Sequence, residues 1–145
     1  MSELSVEDLK DQLQAYLNCL ELCRALYKQT DEPGIRTSLD ALIGNLHEIL
    51  ASLAGHLRQR GVAPGAYGLD RQGKDQIREV LAIRSSPEKL QVVRRSLADL
   101  VAWCEEHPPS DETDSSTRDW LASLSARTQQ MLEWWDRQMR EMKAA

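Results

Sequence analysis

The chain has 145 residues, a formal net charge of −5 and 41% hydrophobic residues, with no Phe among them. That length suits one domain with a real core, and the apolar fraction excludes a disordered chain. The acidic balance without a basic stripe excludes an ordinary nucleic-acid binder, and no apolar run nears the ~20 residues that cross a bilayer.

The first residues, MSELSVEDLKDQ, are polar and acidic, unlike a signal or transit peptide. Three Cys, an odd number, without a secretion signal point to reduced thiols and a cytoplasmic location. Ser5-Val6-Glu7-Asp8 reads as a capping box that opens a first helix over about 6–29. Its seam is Leu9, Leu13, Tyr16, Leu20, Cys23 and Tyr27, spaced four and three apart. Thr30-Asp31-Glu32-Pro33 separates it from a second helix over about 33–60, with Pro33 early in that helix. Ile35, Leu39, Leu42, Leu46, Ile49 and Leu53 continue the rhythm, Ile43, Leu50 and Leu57 widen it, and Gly61 stops it. So short a link makes the first two helices an antiparallel hairpin.

GVAPGAYGLD (61–70) reads as a loop, in which Tyr67 is expected to pin the crossover onto the helices. A short amphipathic helix over about 73–84 carries Ile77, Val80, Leu81 and Ile83. Ser86 is expected to cap a helix over about 87–106, with Pro87 at its first position and Leu90, Val93, Leu97, Leu100 and Cys104 on its seam. His107-Pro108-Pro109 ends it. An acidic loop follows, and Ser116 or Thr117 is expected to cap the last helix, over about 117–142. That helix has Leu121, Leu124, Thr128, Met131, Trp135 and Met142 on its seam. The expected fold is all-α: a single-domain four-helix bundle with a long crossover carrying a short extra helix between helices 2 and 3. Such a crossover is long enough to let those two helices run parallel.

LNCLELCRALYKQTDEPGIRTSLDALIGNLHEIL, then the Gly/Pro loop, the short helix, SSPEKLQVVRRSLADL and the final helix follow one another in an order that resembles the ferritin-like superfamily. More narrowly, they resemble small bacterial ferritin-like proteins of unknown function. The resemblance covers nearly the whole chain. It implies a ferritin-like bundle, and a part in a bacterial stress response. It also implies a di-iron site, built from Glu-x-x-His on two helices and a Glu on each of the others. His47 falls where the first such His would stand, but Gly44 replaces its Glu. Arg127 and Gln130 occupy the matching positions of the last helix, Leu97 that of helix 3, and Glu21 is the carboxylate left near helix 1. A hard di-iron site needs converging carboxylates, so these ligands read as lost and no cofactor is expected.

Other candidates each carry two readings. His47 is either a partly buried imidazole bonded to a carbonyl, a Tyr or water, or a metal ligand with Glu21. His56 suits the C-terminal end of its helix as a structural or exposed residue. Cys19, Cys23, Cys104 and His107 either bind Zn as a set, or Cys23 and Cys104 fill the seam as small hydrophobes while Cys19 lies on another flank. Trp134 either packs against the crossover or marks an oligomer interface. No phosphate loop, Ser/His/Asp set or nucleophile elbow is legible. The expected function is a non-catalytic bundle acting through protein binding or self-association, without nucleic acid or membrane. The alternative is a metal-binding oxidoreductase or iron- or zinc-storage protein with an atypical site near His47.

Overall fold

The computed structural model describes residues 5–63, 68–108 and 115–144. Among these there are five helices and no strand: α1 (Val6–Gln29), α2 (Pro33–Gln59), α3 (Arg71–Ala82), α4 (Ser86–Glu106) and α5 (Ser115–Ala144). Tyr67 and most of the acidic loop after α4 lie outside the described residues.

Local chemistry fixes most helix ends. The Ser5 hydroxyl accepts the Asp8 N–H at 3.0 Å and the Asp8 carboxylate accepts the Ser5 N–H at 3.3 Å, so the capping box forms. Pro33 opens α2 where its missing N–H costs nothing. At the far end of α2 the Gly61 N–H reaches Arg58 O at 2.9 Å and the Val62 N–H reaches Leu57 O at 3.0 Å. This double closure needs a left-handed residue between the helix and Val62, and Gly61 supplies it at φ +77°.

Three expected boundaries shift. α3 begins at Arg71 and ends at Ala82, because the Asp70 carboxylate caps it through the Gly73 N–H and Ile83 is already extended. Ser85 rather than Ser86 is the N-cap of α4, and the Ser86 hydroxyl instead donates to Glu32 Oε1 at 3.2 Å. α5 begins at Ser115, so Ser116 and Thr117 are helical residues rather than caps.

The long helices close a ring, α1 on α2, α2 on α5, α5 on α4 and α4 on α1. Cross-helix bonds set their directions. Between α2 and α5, Ser38 meets Gln138, Glu48 meets Arg127 and Ser52 meets Trp120, so one number falls as the other rises. Between α1 and α4, Gln29 meets Lys89 and Tyr16 meets Cys104. Neighbours round the ring are therefore antiparallel, which makes α2 and α4 run the same way. The chain must travel back between them. α3 does this, since Asn18 meets Asp70 and Gln29 meets Leu81 O with both numbers rising together. Its twelve residues cover about 18 Å of α1.

Most of the expected seam is core, but Tyr27 and Met142 are only partly buried, and Cys19, Leu22 and Leu26 of α1 join the core from outside that seam. Leu9, Tyr16, Leu39, Leu42, Leu46, Leu53, Val93, Leu97 and Trp135 are fully buried. The Trp135 indole N–H also donates to Leu90 O at 3.3 Å, which satisfies the ring's one polar atom inside the core. α3 contributes little to this interior; Val80 and Gly73 are its buried residues.

Candidate functional site: a buried polar junction beside a surface histidine

The interior is not wholly apolar. Where α1, α4 and α5 meet, the Tyr16 hydroxyl lies 2.6 Å from Thr128 Oγ1 and 3.9 Å from Cys104 Sγ. Thr128 also reaches back to Leu124 O at 2.7 Å, as a helical threonine does when no solvent competes. Thr128 and Tyr16 are both 0% exposed. Burial pushes the Tyr16 hydroxyl far above its usual range, and nearby Cys104 pushes the same way. Burial likewise raises the Cys104 thiol. The phenol and thiol here are proton-holding groups, unsuited as bases or nucleophiles. Gln12 is buried beside Tyr16, and its side chain turns to the Tyr16 hydroxyl.

The di-iron pattern has no counterpart at this level. The buried polar residues among those described are Gln12, Asn18, Ser38, His56, Ser96, Thr117 and Thr128, with no Asp or Glu. Leu97 is an ordinary core residue. Arg127 points outward and ion-pairs with Glu48 of α2. The described residues supply no set of inward carboxylates of the kind such a centre needs.

His47 is exposed, not partly buried, because its position lies outside the stripe that faces α1 and α5. Its partner is neither carbonyl nor tyrosine. Arg24 Nη2 of α1 lies 2.7 Å from His47 Nε2, and the same guanidinium holds Glu21 Oε1 at 2.7 Å. Glu21 and His47 are thus brought together, but through a cation bound to both. Arg24 occupies the ring nitrogen that would face a shared ion. Gly44 lies on the exposed surface with open space around it.

The proposed zinc set is dispersed. Cys19 and Cys23 are both 0% exposed on α1, so Cys19 does not lie on a separate flank. Cys19 faces Ser96 of α4, whereas Cys104 stands two helical turns further along α4, beside Tyr16. Eight helical residues separate those levels by about 12 Å, far beyond a metal's reach. His107 turns away, stacking on Trp103 with ring centroids 4.2 Å apart and meeting Trp103 O at 2.8 Å. No group of three or more His, Cys, Asp or Glu converges among the described residues.

His56 is buried rather than exposed. Its ring stacks flat on Trp120 at 4.2 Å, and the Trp120 N–H donates to Ser52 Oγ at 2.9 Å, which ties the end of α2 to the start of α5. Trp134 is half-buried and tilted against Trp135 at 6.3 Å. It does not pack against the short helix, because α3 rests on α1 and α4 while α5 rests on α4 and α2.

Sequence reasoning missed a second polar cluster. Asp70 Oδ1 accepts the Gly73 N–H at 2.8 Å and the Asn18 Nδ2–H at 2.9 Å. Asn18 Oδ1 accepts from Gln14, which also donates to Gly68 O, both at 3.0 Å. A Cβ at Gly73 would stand 2.7 Å from Asn18 Cγ, so only glycine lets α3 approach α1 this closely. The legible signal was Asp three residues before Gly at a helix start. No known protein family, curated protein or solved structure matches the chain.

Proposed function

We propose that this chain is a four-helix bundle of ferritin-like connectivity that lacks a di-iron centre and acts as a non-catalytic binding protein. It would associate with itself or with a protein partner, in the stress-response setting that its family resemblance implies. The parallel course of α2 and α4, joined by a crossover helix, supports the connectivity. One observation carries the rest: no carboxylate is buried among the described residues, and a Tyr–Thr hydrogen bond fills the junction of α1, α4 and α5.

Trp134 is the residue on which self-association would depend, as a half-buried aromatic on the outer side of α5. The test has two parts. Protein purified from iron-supplemented cells without chelator is expected to carry no stoichiometric iron, and about two irons per chain would overturn the reading. Light scattering of wild type against Trp134→Ala is expected to show a lower mass for the variant. Equal masses would remove Trp134 from the interface.

A further inference from the structure

Cys19 and Cys23 stand one helical turn apart on the same face of α1, both without solvent exposure, with their thiols unoxidised. At that spacing the Cβ atoms lie about 5–6 Å apart, so two sulfur atoms converge on a point between them. Ser96 of α4 lies against Cys19, and the same Ser96 lines a groove of about 220 Å³ between α1, α3 and α4. Asp11 and Asp99 line this groove, with Gln72 and Gln76 from α3, and no Lys or Arg does. An acidic groove thus has a hydroxyl in its wall, and against that hydroxyl lies Cys19, the first of the two thiols.

We propose that Cys19 and Cys23 form a two-coordinate site for a soft monovalent metal ion, Cu(I), reached through this groove. Two sulfur ligands and no imidazole or carboxylate suit Cu(I) by softness, and leave Zn(II) two positions short of its tetrahedron. Binding exchanges two S–H bonds for two Cu–S bonds and releases two protons to solvent, with copper's oxidation state unchanged. The product carries one net negative charge, less than two free thiolates would. With both thiols deprotonated, the Ser96 hydroxyl against Cys19 is the donor left to receive that charge. The acidic lining of the groove attracts the cation before it reaches the thiols. Cys104 takes no part, since it lies with Tyr16 and Thr128 at another level.

The test is an anaerobic competition for Cu(I) between the reduced, untagged full chain and a chromophoric chelator. Wild type is expected to withdraw about one Cu(I) per chain, the capacity of one two-sulfur site. Cys19→Ala and Cys23→Ala are expected to weaken binding by more than about 100-fold, and Ser96→Ala by about tenfold, as an outer partner does. Cys104→Ala is expected to bind as wild type. Wild type that withdraws no copper would overturn the site, and so would a loss in Cys104→Ala equal to that in Cys19→Ala. Zn(II) binding that displaces Cu(I) would overturn the soft-metal assignment. Alkylation of wild type followed by peptide mass spectrometry keeps the test independent of how the variants fold. Added Cu(I) is expected to protect Cys19 and Cys23 and leave the labelling of Cys104 unchanged, and failure to protect the pair would sink the proposal.

Discussion

α1 is held by its neighbours in two different ways. Against α2 and α4 it presents leucines that meet leucines and valines, with Tyr16 and its hydroxyl partners as the inner exception. Against α3 it presents Gln14 and Asn18, which hold Gly68 O and the Asp70 carboxylate, over a glycine. The first contact is broad and non-directional, so its strength grows with the area removed from water. The second adds to the apolar contact of Val80 and Ile77 a set of directional bonds, each of which nets only about 0.5–1.5 kcal/mol. The ring of long helices should therefore set global stability, while α3 should behave as a strap with a lower local opening energy.

The largest effect is expected at the ring. Trp135→Ala removes the largest fully buried side chain and its bond to Leu90 O. It should cost about 3–5 kcal/mol in denaturant unfolding. A cost no greater than that of a strap variant would erase the distinction between the two regions.

Next in size is Gly73→Ala, where the new methyl group meets Asn18. A loss of about 1–3 kcal/mol is expected, as for other overpacked sites. Hydrogen exchange should quicken in α3 and stay slow in the amides of α2 and α5. The pair Gly73→Ala with Asn18→Ala should recover part of the loss, because the closest clash is with Asn18, while Leu69 Cδ2 at 2.9 Å remains. No recovery would mean that the Leu69 contact, not the Asn18 contact, sets the cost.

A smaller effect sharpens the exception inside the ring. Tyr16→Phe removes the hydroxyl but leaves Thr128 bonded to Leu124 O, so about 1 kcal/mol should be lost at neutral pH. Its pH dependence is the more telling measurement. Burial, and after it Cys104, holds the folded Tyr16 hydroxyl above its unfolded value of about 10. Above that pH the unfolded chain has released a proton that the folded chain keeps, so stability falls as pH rises. Melting temperature should be level below about pH 8, begin to fall as the raised Cys23 and Cys104 thiols enter, and fall further above pH 10. Tyr16→Phe should flatten the part above pH 10, and an unchanged slope would show that Tyr16 does not report the buried junction.

The smallest effect belongs to the surface. Arg24→Ala frees His47 and Glu21 but disturbs no buried group, so thermal unfolding should move by no more than about 0.5 kcal/mol. A larger loss would give that surface triad a structural part which its position does not suggest.

The ring was legible because burial repeats with the helix. Leu39, Leu42, Leu46, Ile49 and Leu53 could be placed inward from spacing alone, and each is buried. The capping box and Gly61 could be read as well, because each acts within a few residues of itself. Side-chain partners across helices could not be read. Spacing placed His47 on a flank, but whether that flank was covered depended on the angle at which α2 meets α1 and α5. Cys19 was set outside the seam for the same reason, although α4 covers it. Asn18, a polar residue on α1, gave no sign that a glycine many residues later would be pressed against it.

The sequence by itself determined that the chain is helical, where its long helices run, and that it carries no Glu-x-x-His pair. Those outcomes follow from local geometry and from residue identity, which need no partner segment. Only the tertiary structure decided that α3 runs along α1, that Arg24 takes the His47 ring nitrogen, that Tyr16 finds Thr128, and that Cys19 meets Ser96. Each joins elements distant in the chain through bonds a few ångströms long, and their meeting is set by how the apolar faces of the helices pack.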